Sequence, residues 1–189
     1  MDLKKAVTTR KSVRYFAPKK ADWRKIIQAI DYARFAPAAD NQFINKFILI
    51  QDRDKIEKIA SAAQQGFIEE ASFVVVVVSD PRHLVKLYNE RGERFTAQQS
   101  GAAIENFLLA LNERGLASGW IGHFSESIVK DLLQIPEELT VEAIFPIGKE
   151  SKARKALGSN PIELEDILFF DEWKNRKMVK QRRVSVDHL

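Results

Sequence analysis

The longest unbroken apolar run in the chain, Phe73-Val74-Val75-Val76-Val77-Val78, is β-branched after its first residue and predicts a strand over residues 73–79 buried on both faces. It falls well short of the roughly 20 residues that a bilayer-spanning helix needs. Elsewhere the apolar positions recur at helical spacing. Asp22 stands in an N-cap position ahead of Ile26, Ile27, Ile30 and Ala33, which predicts a helix over residues 23–35 halted by Pro37. A strand follows over residues 46–50, a short helix over 54–63, and another over 82–91. The longest helix is expected over residues 96–114, ended by Gly115. Its apolar side chains, among them Ala103, Ile104, Phe107, Leu108 and Leu111, span too wide an arc for a surface helix, so it should be buried. Trp120 and Ile121 are assigned to a strand, Ser125 to the cap of a short helix, residues 142–147 to a strand, and residues 161–170 to a last helix. Strands and helices interleave without the regular beat of a doubly wound sheet, which favours an α+β fold.

Composition narrows the picture. The 189 residues suit one domain, and no repeat or low-complexity stretch divides them. Residues 1–173 are expected to form that domain and residues 174–189 a basic extension. The net charge of +4 belongs to the extension: six Lys or Arg and one Asp lie in residues 174–189, leaving 24 basic and 25 acidic residues in the body. A neutral body offers no broad field for phosphate backbones, so no nucleic-acid partner is expected. The first residues lack the apolar centre of a signal peptide, and no membrane partner is expected, which together point to the cytoplasm. The chain contains no cysteine, which excludes disulfides and thiolate chemistry, and His83, His123 and His188 are too scattered for a metal site.

Four stretches carry candidate chemistry. In RKSVRYF, residues 10–16, an extended backbone would turn Arg10, Ser12 and Arg14 to one face and Val13 and Tyr15 to the other, with Lys11 between the two arginines. Arg10 and Arg14 would stand about 13 Å apart, a spacing suited to an elongated anion with a phosphate at one end. The plain alternative is a solvated charged face. In APAADN, residues 36–41, proline and small side chains allow close approach to a flat ligand, and Asn41 both donates and accepts; an ordinary loop would read the same way. In GLASGWIGHF, residues 115–124, Gly119 and Gly122 flank Trp120-Ile121 where another backbone or a ring could come close, and His123 is a weak proton-donor candidate. In GKESKARK, residues 148–155, Lys149, Lys152, Arg154 and Lys155 could close over a phosphate, or simply form a charged loop.

In this order along a chain of this size, RKSVRYF, APAADN, GAAIENFLLALNERGL, SGWIGHF and PIGK resemble the nitroreductase family of FMN-dependent NAD(P)H oxidoreductases, over roughly residues 3–173. The resemblance implies a central, mostly antiparallel sheet flanked by helices, with the long helix at a homodimer interface that holds FMN. It places Arg10 and Ser12 at the FMN phosphate, with Lys11 also among the cofactor-binding residues, Arg14 reaching towards the ribityl chain or the pyrimidine edge, and Asn41 at that edge. Gly122 and His123 fall where backbone N–H groups approach the flavin N5 and O4, Ile121 is also among the cofactor-binding residues, and Lys152 and Arg154 are the candidates for the phosphate among the late cations, with Lys155 as their substitute. Pro37, Ala38, Ala39 and Asp40 of one chain would face the flavin of the other. The expected activity is ping-pong transfer of hydride from NADH or NADPH, through the flavin, to an electron-poor small molecule such as a nitroaromatic or a quinone. A more specialised flavin reaction on the same scaffold, or a non-enzymatic adaptor working through the basic tail, are the alternatives. The chain departs from the family pattern at Ala38 and Ala39, where serines are frequent, at Phe43-Ile44-Asn45, where Gln-Pro-Trp is frequent, and at Gln99, where aspartate is common.

Overall fold

The computed structural model describes residues 2–151 and 162–178. The chain divides into two units, Met1–Ala156 and Leu157–Leu189. In the first, helix α1 spans Leu3–Thr9, strand β1 Phe16–Ala17, α2 Trp23–Ala33, β2 Asn45–Ile50, α3 Arg53–Ala63, β3 Phe73–Ser79, α4 Arg82–Tyr88, α5 Glu90–Glu113, β4 Ala117–Ser118, α6 Glu126–Leu133 and β5 Thr140–Glu150.

The strands form one sheet in the order β1-β5-β3-β2, with β4 also paired to β5, and every strand pair is antiparallel. β3 lies inside this sheet and all seven of its residues are buried, as its valine run predicts. The period of two along the strand divides the core. Phe73, Val75 and Val77 pack with α2 and α5 on one face, while Val74, Val76 and Val78 pack with α3 and α6 on the other. An irregularity between Val77 and Val78 lets β5 pass Glu142 without a partner across the ladder. The Glu142 carboxylate instead accepts a hydrogen bond from Ser79 Oγ at 2.5 Å.

The helix ends follow local chemistry. Asp22 accepts from Arg24 N at 3.0 Å and opens α2, as expected, and Asp52 opens α3 by accepting from Lys55 N at 3.0 Å. α2 closes at Ala33, two residues before the expected end. Ser125 occupies the N-cap of α6 without a side-chain cap bond, and Glu126 accepts from Val141 N at 2.9 Å instead. α1 was not expected from the sequence: Asp2 caps it by accepting from Lys5 N at 2.7 Å, and Ala6 is its buried anchor.

α5 differs most from expectation. It begins at Glu90 and not at residue 96, directly after Asn89, whose left-handed φ of 51° turns the chain out of α4. It ends where expected, with Gly115 at φ 67° and Leu116 N donating to Leu111 O at 2.9 Å. At 24 residues it is about 36 Å long. Its burial is one-sided in the single chain. Ala103, Ile104, Phe107, Leu108 and Leu111 enter the core, whereas Gly101, Ala102, Glu105, Asn106 and Leu109 keep partial exposure.

Two further expectations are corrected. Trp120 and Ile121 do not form a strand: β4 lies earlier, at Ala117–Ser118, Trp120 is exposed, and Ile121 makes only an isolated bridge to Ile144. In the second unit the helix described is one turn, Leu164–Ile167, shorter than the expected residues 161–170; Leu164 and Ile167 are both exposed, so no core extends it. Pro161 lies outside the described residues.

Candidate functional site

The chain leaves α1 at Arg10 in an extended conformation and runs beside β4. Val13 N donates to Ser118 O at 2.9 Å, and Ser12 pairs with Ser118 in a parallel bridge. Val13 is buried against Phe16 and Ala71, whereas Ser12 and Arg14 are exposed on the opposite side. This alternation is the one that RKSVRYF suggests.

Gly119 makes the close approach possible. A Cβ at this position would stand 2.9 Å from the Val13 carbonyl oxygen, a backbone atom that cannot swing aside. Gly119→Ala should therefore push the segment of residues 10–14 off β4. We expect a loss of about 1–3 kcal/mol in urea unfolding, the usual cost of overpacking, together with weaker anion binding. Unchanged stability and binding would show that the segment yields freely.

Between this segment and the C-terminal turns of α5 lies a cavity of about 340 Å³. Arg10, Lys11, Ser12, Leu108, Leu111 and Trp120 are among the residues that line it. Acidic partners hold the cations in place: Arg10 Nε stands 3.3 Å from Glu105, and Lys11 Nζ 2.6 Å from Glu150. Asn112, also in the wall, donates to Ala6 O and Thr9 Oγ1, both at 2.9 Å, and so fastens α1 to α5 behind the cations. Beside the cavity, Lys149 Nζ donates to Gly115 O at 2.7 Å and Lys25 Nζ to Arg114 O at 3.4 Å, where the α5 dipole presents its negative end. Burial, and then the charges of Lys25 and Lys19, depress the Lys149 pKa below the ordinary lysine value.

The structure brings together only part of the expected set. Arg14 does not line this cavity; its guanidinium lies 6.0 Å from the centroid of the Phe67 ring. Gly122 and His123 are exposed just beyond Trp120, and Ile121 is buried by its bridge to Ile144. Pro37, Ala38 and Ala39 line a separate recess against the N-terminal half of α5, about 15 Å along the helix from Leu108 and Leu111. Asp40 and Asn41 follow in left-handed conformations, φ 52° and 53°, and His83 Nε2 lies 2.7 Å from Asp40 Oδ2. Asn41 is exposed. Lys152, Arg154 and Lys155 lie outside the described residues. Glu105, Glu150 and Asn112 were not singled out from the sequence. Asn112 interrupts the apolar pattern of α5 and could have been noticed, whereas the two glutamates read as ordinary surface charges until the fold places them.

Among the described residues no group of three His, Asp or Glu side chains gathers as a metal site. No described helix is long and apolar enough to cross a membrane.

The donor set suits a phosphate-bearing cofactor such as FMN. A guanidinium, an ammonium and a hydroxyl line the same cavity as Leu108, Leu111 and Trp120, so it offers both anion donors and apolar surface, as a molecule with an anionic end and a flat apolar body requires.

The model of the nitroreductase family matches residues 59–149. A protein of Archaeoglobus fulgidus, provisionally named NADH dehydrogenase/NAD(P)H nitroreductase, is 30% identical over 149 residues, 76% of this chain and 83% of the relative. The iodotyrosine deiodinase of Thermotoga neapolitana is 23% identical over 155 residues, 74% of this chain and 83% of the deiodinase. Among solved structures, an FMN-dependent nitroreductase of Clostridium difficile superposes with a TM-score of 0.75 at 18% identity, covering 90% of this chain and all of that one, and so shares the fold. With its antiparallel sheet, its long α5 and a relative of this identity along most of its length, the chain belongs to the nitroreductase family.

Proposed function

We propose that the protein is an FMN-dependent oxidoreductase that works as a cytoplasmic homodimer. The observation that carries this reading is that Arg10, Lys11 and Ser12 line one cavity together with Trp120. When bound, FMN would supply the redox chemistry, accepting hydride from NADH or NADPH and returning it to an electron-poor acceptor such as a nitroaromatic or quinone in ping-pong turnover. The chain's own residues bind and orient. Arg10 would grip the phosphate with its planar fork, Lys11 as a point charge and Ser12 as a neutral donor. Leu108, Leu111 and Trp120 would keep water from the flat body. Arg14, Gly122 and His123 would complete the site from outside this cavity, and the late cations Lys152 and Arg154 are further candidates for the phosphate. Residues 37–41, distant from it within one chain, would serve the cofactor of the second subunit, and the partly exposed face of α5 would lie against that subunit.

The similarity to an iodotyrosine deiodinase favours a second reading, a dedicated reductive reaction on the same scaffold. The test is direct. The purified protein should be yellow and should release FMN, identified by chromatography, on denaturation; bleaching by NADH or NADPH and recovery with menadione or nitrofurazone separates a broad reductase from a dedicated one. Colourless protein that takes up no FMN when reconstituted would overturn both readings.

A further inference from the structure

Lysines from three parts of the chain gather where α5 ends. Lys149 on β5 donates through Nζ to Gly115 O at 2.7 Å, and Lys25 on α2 donates to the adjacent carbonyl, Arg114 O, at 3.4 Å. Lys19, in the connection from β1 to α2, stands near enough for its charge to act on Lys149. Carbonyls left over at a helix C-terminus attract cations, yet each is a neutral dipole that offsets only part of a charge. Carboxylates would do more, and the nearest in sequence are engaged elsewhere: Glu150 stands 2.6 Å from Lys11 and Glu113 2.9 Å from Arg114. Among the described residues no carboxylate forms an ion pair with Lys19, Lys25 or Lys149.

Lys149 bears most of this crowding. Its backbone pairs with Ala17 across the sheet and its side chain is only partly exposed, so it cannot swing far into solvent. Burial first, and then the two neighbouring charges, favour its amine over its ammonium. The amine keeps the bond to Gly115 O through one N–H and retains a lone pair. Other lysines are placed differently. Lys130, the buried one among the described residues, is held by Glu126 and Glu137, and Lys4, Lys58 and Lys86 are exposed and hydrated. An amine set beside cations is a nucleophile at neutral pH, and the charges that disfavour its ammonium also draw in an anionic electrophile.

We propose that Lys149 is a modification site, acylated by small acyl phosphates whose phosphate end is steered by Lys25 and Lys19. The Nζ lone pair attacks the acyl carbon and an N–C bond forms. The C–O bond to phosphate breaks, inorganic phosphate leaves with that electron pair, the nitrogen gives up a proton to solvent, and nothing is oxidised or reduced. The amide produced has lost one positive charge at the edge of the Arg10 cavity, of which Gly115 is a lining residue. The site stands on the lysine geometry and holds whether or not flavin occupies that cavity.

The test is incubation of the full chain, as purified, with acetyl phosphate at neutral pH, followed by digestion and mass spectrometry to read the acetylation rate at each lysine. Lys149 should react about threefold or more faster than Lys4, Lys58 and Lys86. With N-acetylimidazole, an uncharged donor, Lys149 should still lead, by a smaller margin. Lys25→Met should bring the Lys149 rate down towards that of the exposed lysines, whereas Lys25→Arg, which keeps the charge, should leave Lys149 ahead. A Lys149 rate no higher than theirs in the unaltered protein overturns the proposal, and that measurement needs no variant. An equal margin with both donors, or a lead that survives Lys25→Met undiminished in protein shown by its thermal midpoint to be folded, overturns the steering by the neighbouring lysines. FMN content, measured on the same samples, reports on the cofactor reading separately.

Discussion

Arg10→Ala is expected to weaken FMN binding by about 10- to 100-fold, the equivalent of one or two charge-assisted hydrogen bonds of about 1.5 kcal/mol each. Its effect on the fold should be small. The guanidinium is partly exposed, its Glu105 partner lies 3.3 Å away with nearly half of its own side chain in solvent, and exposed pairs of this kind contribute about 0–1 kcal/mol. Affinity and stability should therefore separate: fluorescence titration of the apoprotein with FMN would show the loss, and a thermal melt without FMN would scarcely move. Arg10→Lys should recover part of the affinity, since an ammonium keeps the charge and gives up the bidentate fork. Glu105→Gln should act in the opposite direction, because it frees Arg10 from a competing carboxylate without removing a cation. Unchanged affinity in Arg10→Ala would remove this arginine from the phosphate site and leave Lys11 and Ser12 without their strongest neighbour.

That prediction rests on a segment whose conformation was legible in the sequence, and the reason is local. An extended backbone fixes which side chains share a face, so Val13 turns inward and Ser12 and Arg14 outward whatever the rest of the chain does. The same holds for β3, where an unbroken valine run implies burial on both faces, and for Gly115, whose left-handed φ of 67° closes α5. The glycines of GLASGWIGHF suggested a close neighbour, and at Gly119 that neighbour is the Val13 backbone. What could not be read is long-range. Glu105 and Glu150 meet Arg10 and Lys11 only because α5 and β5 end beside the same segment. The extra turns of α5 before residue 96 carry charged residues and little apolar periodicity, and their helical state follows from docking against α4. Arg14 shares the face of Ser12 yet turns to the Phe67 ring, a choice made by a side chain more than 50 positions away in sequence. The same holds at Trp120 and Ile121: the ladder with β5 is interrupted after Ala117–Ser118, where Trp120 turns out to the cavity, and returns only as the single bridge of Ile121 to Ile144.

Phe107→Ala should be the most destabilising single change offered by α5, costing about 3–5 kcal/mol. The ring is fully buried and central to a chain of edge-to-face contacts, 5.6 Å from Phe47 on β2 and 5.9 Å from Phe145 on β5. Deleting it leaves a cavity between helix and sheet that neither neighbour can fill, because Phe145 is itself held 5.4 Å from Trp120. For a domain of this size the thermal midpoint should fall by about 10 °C. The second consequence concerns the site. Phe107 supports Phe145, and Phe145 supports Trp120, which lines the same cavity as Arg10, so loss of the first ring should loosen the last. Below the transition temperature the variant should still fold, yet show weaker FMN binding and a shifted tryptophan emission. Phe107→Leu, which refills most of the space, should restore much of the stability and of the affinity together. A variant that lost stability while binding FMN as tightly as before would show that the aromatic ladder supports only the fold and that Trp120 is held by other means.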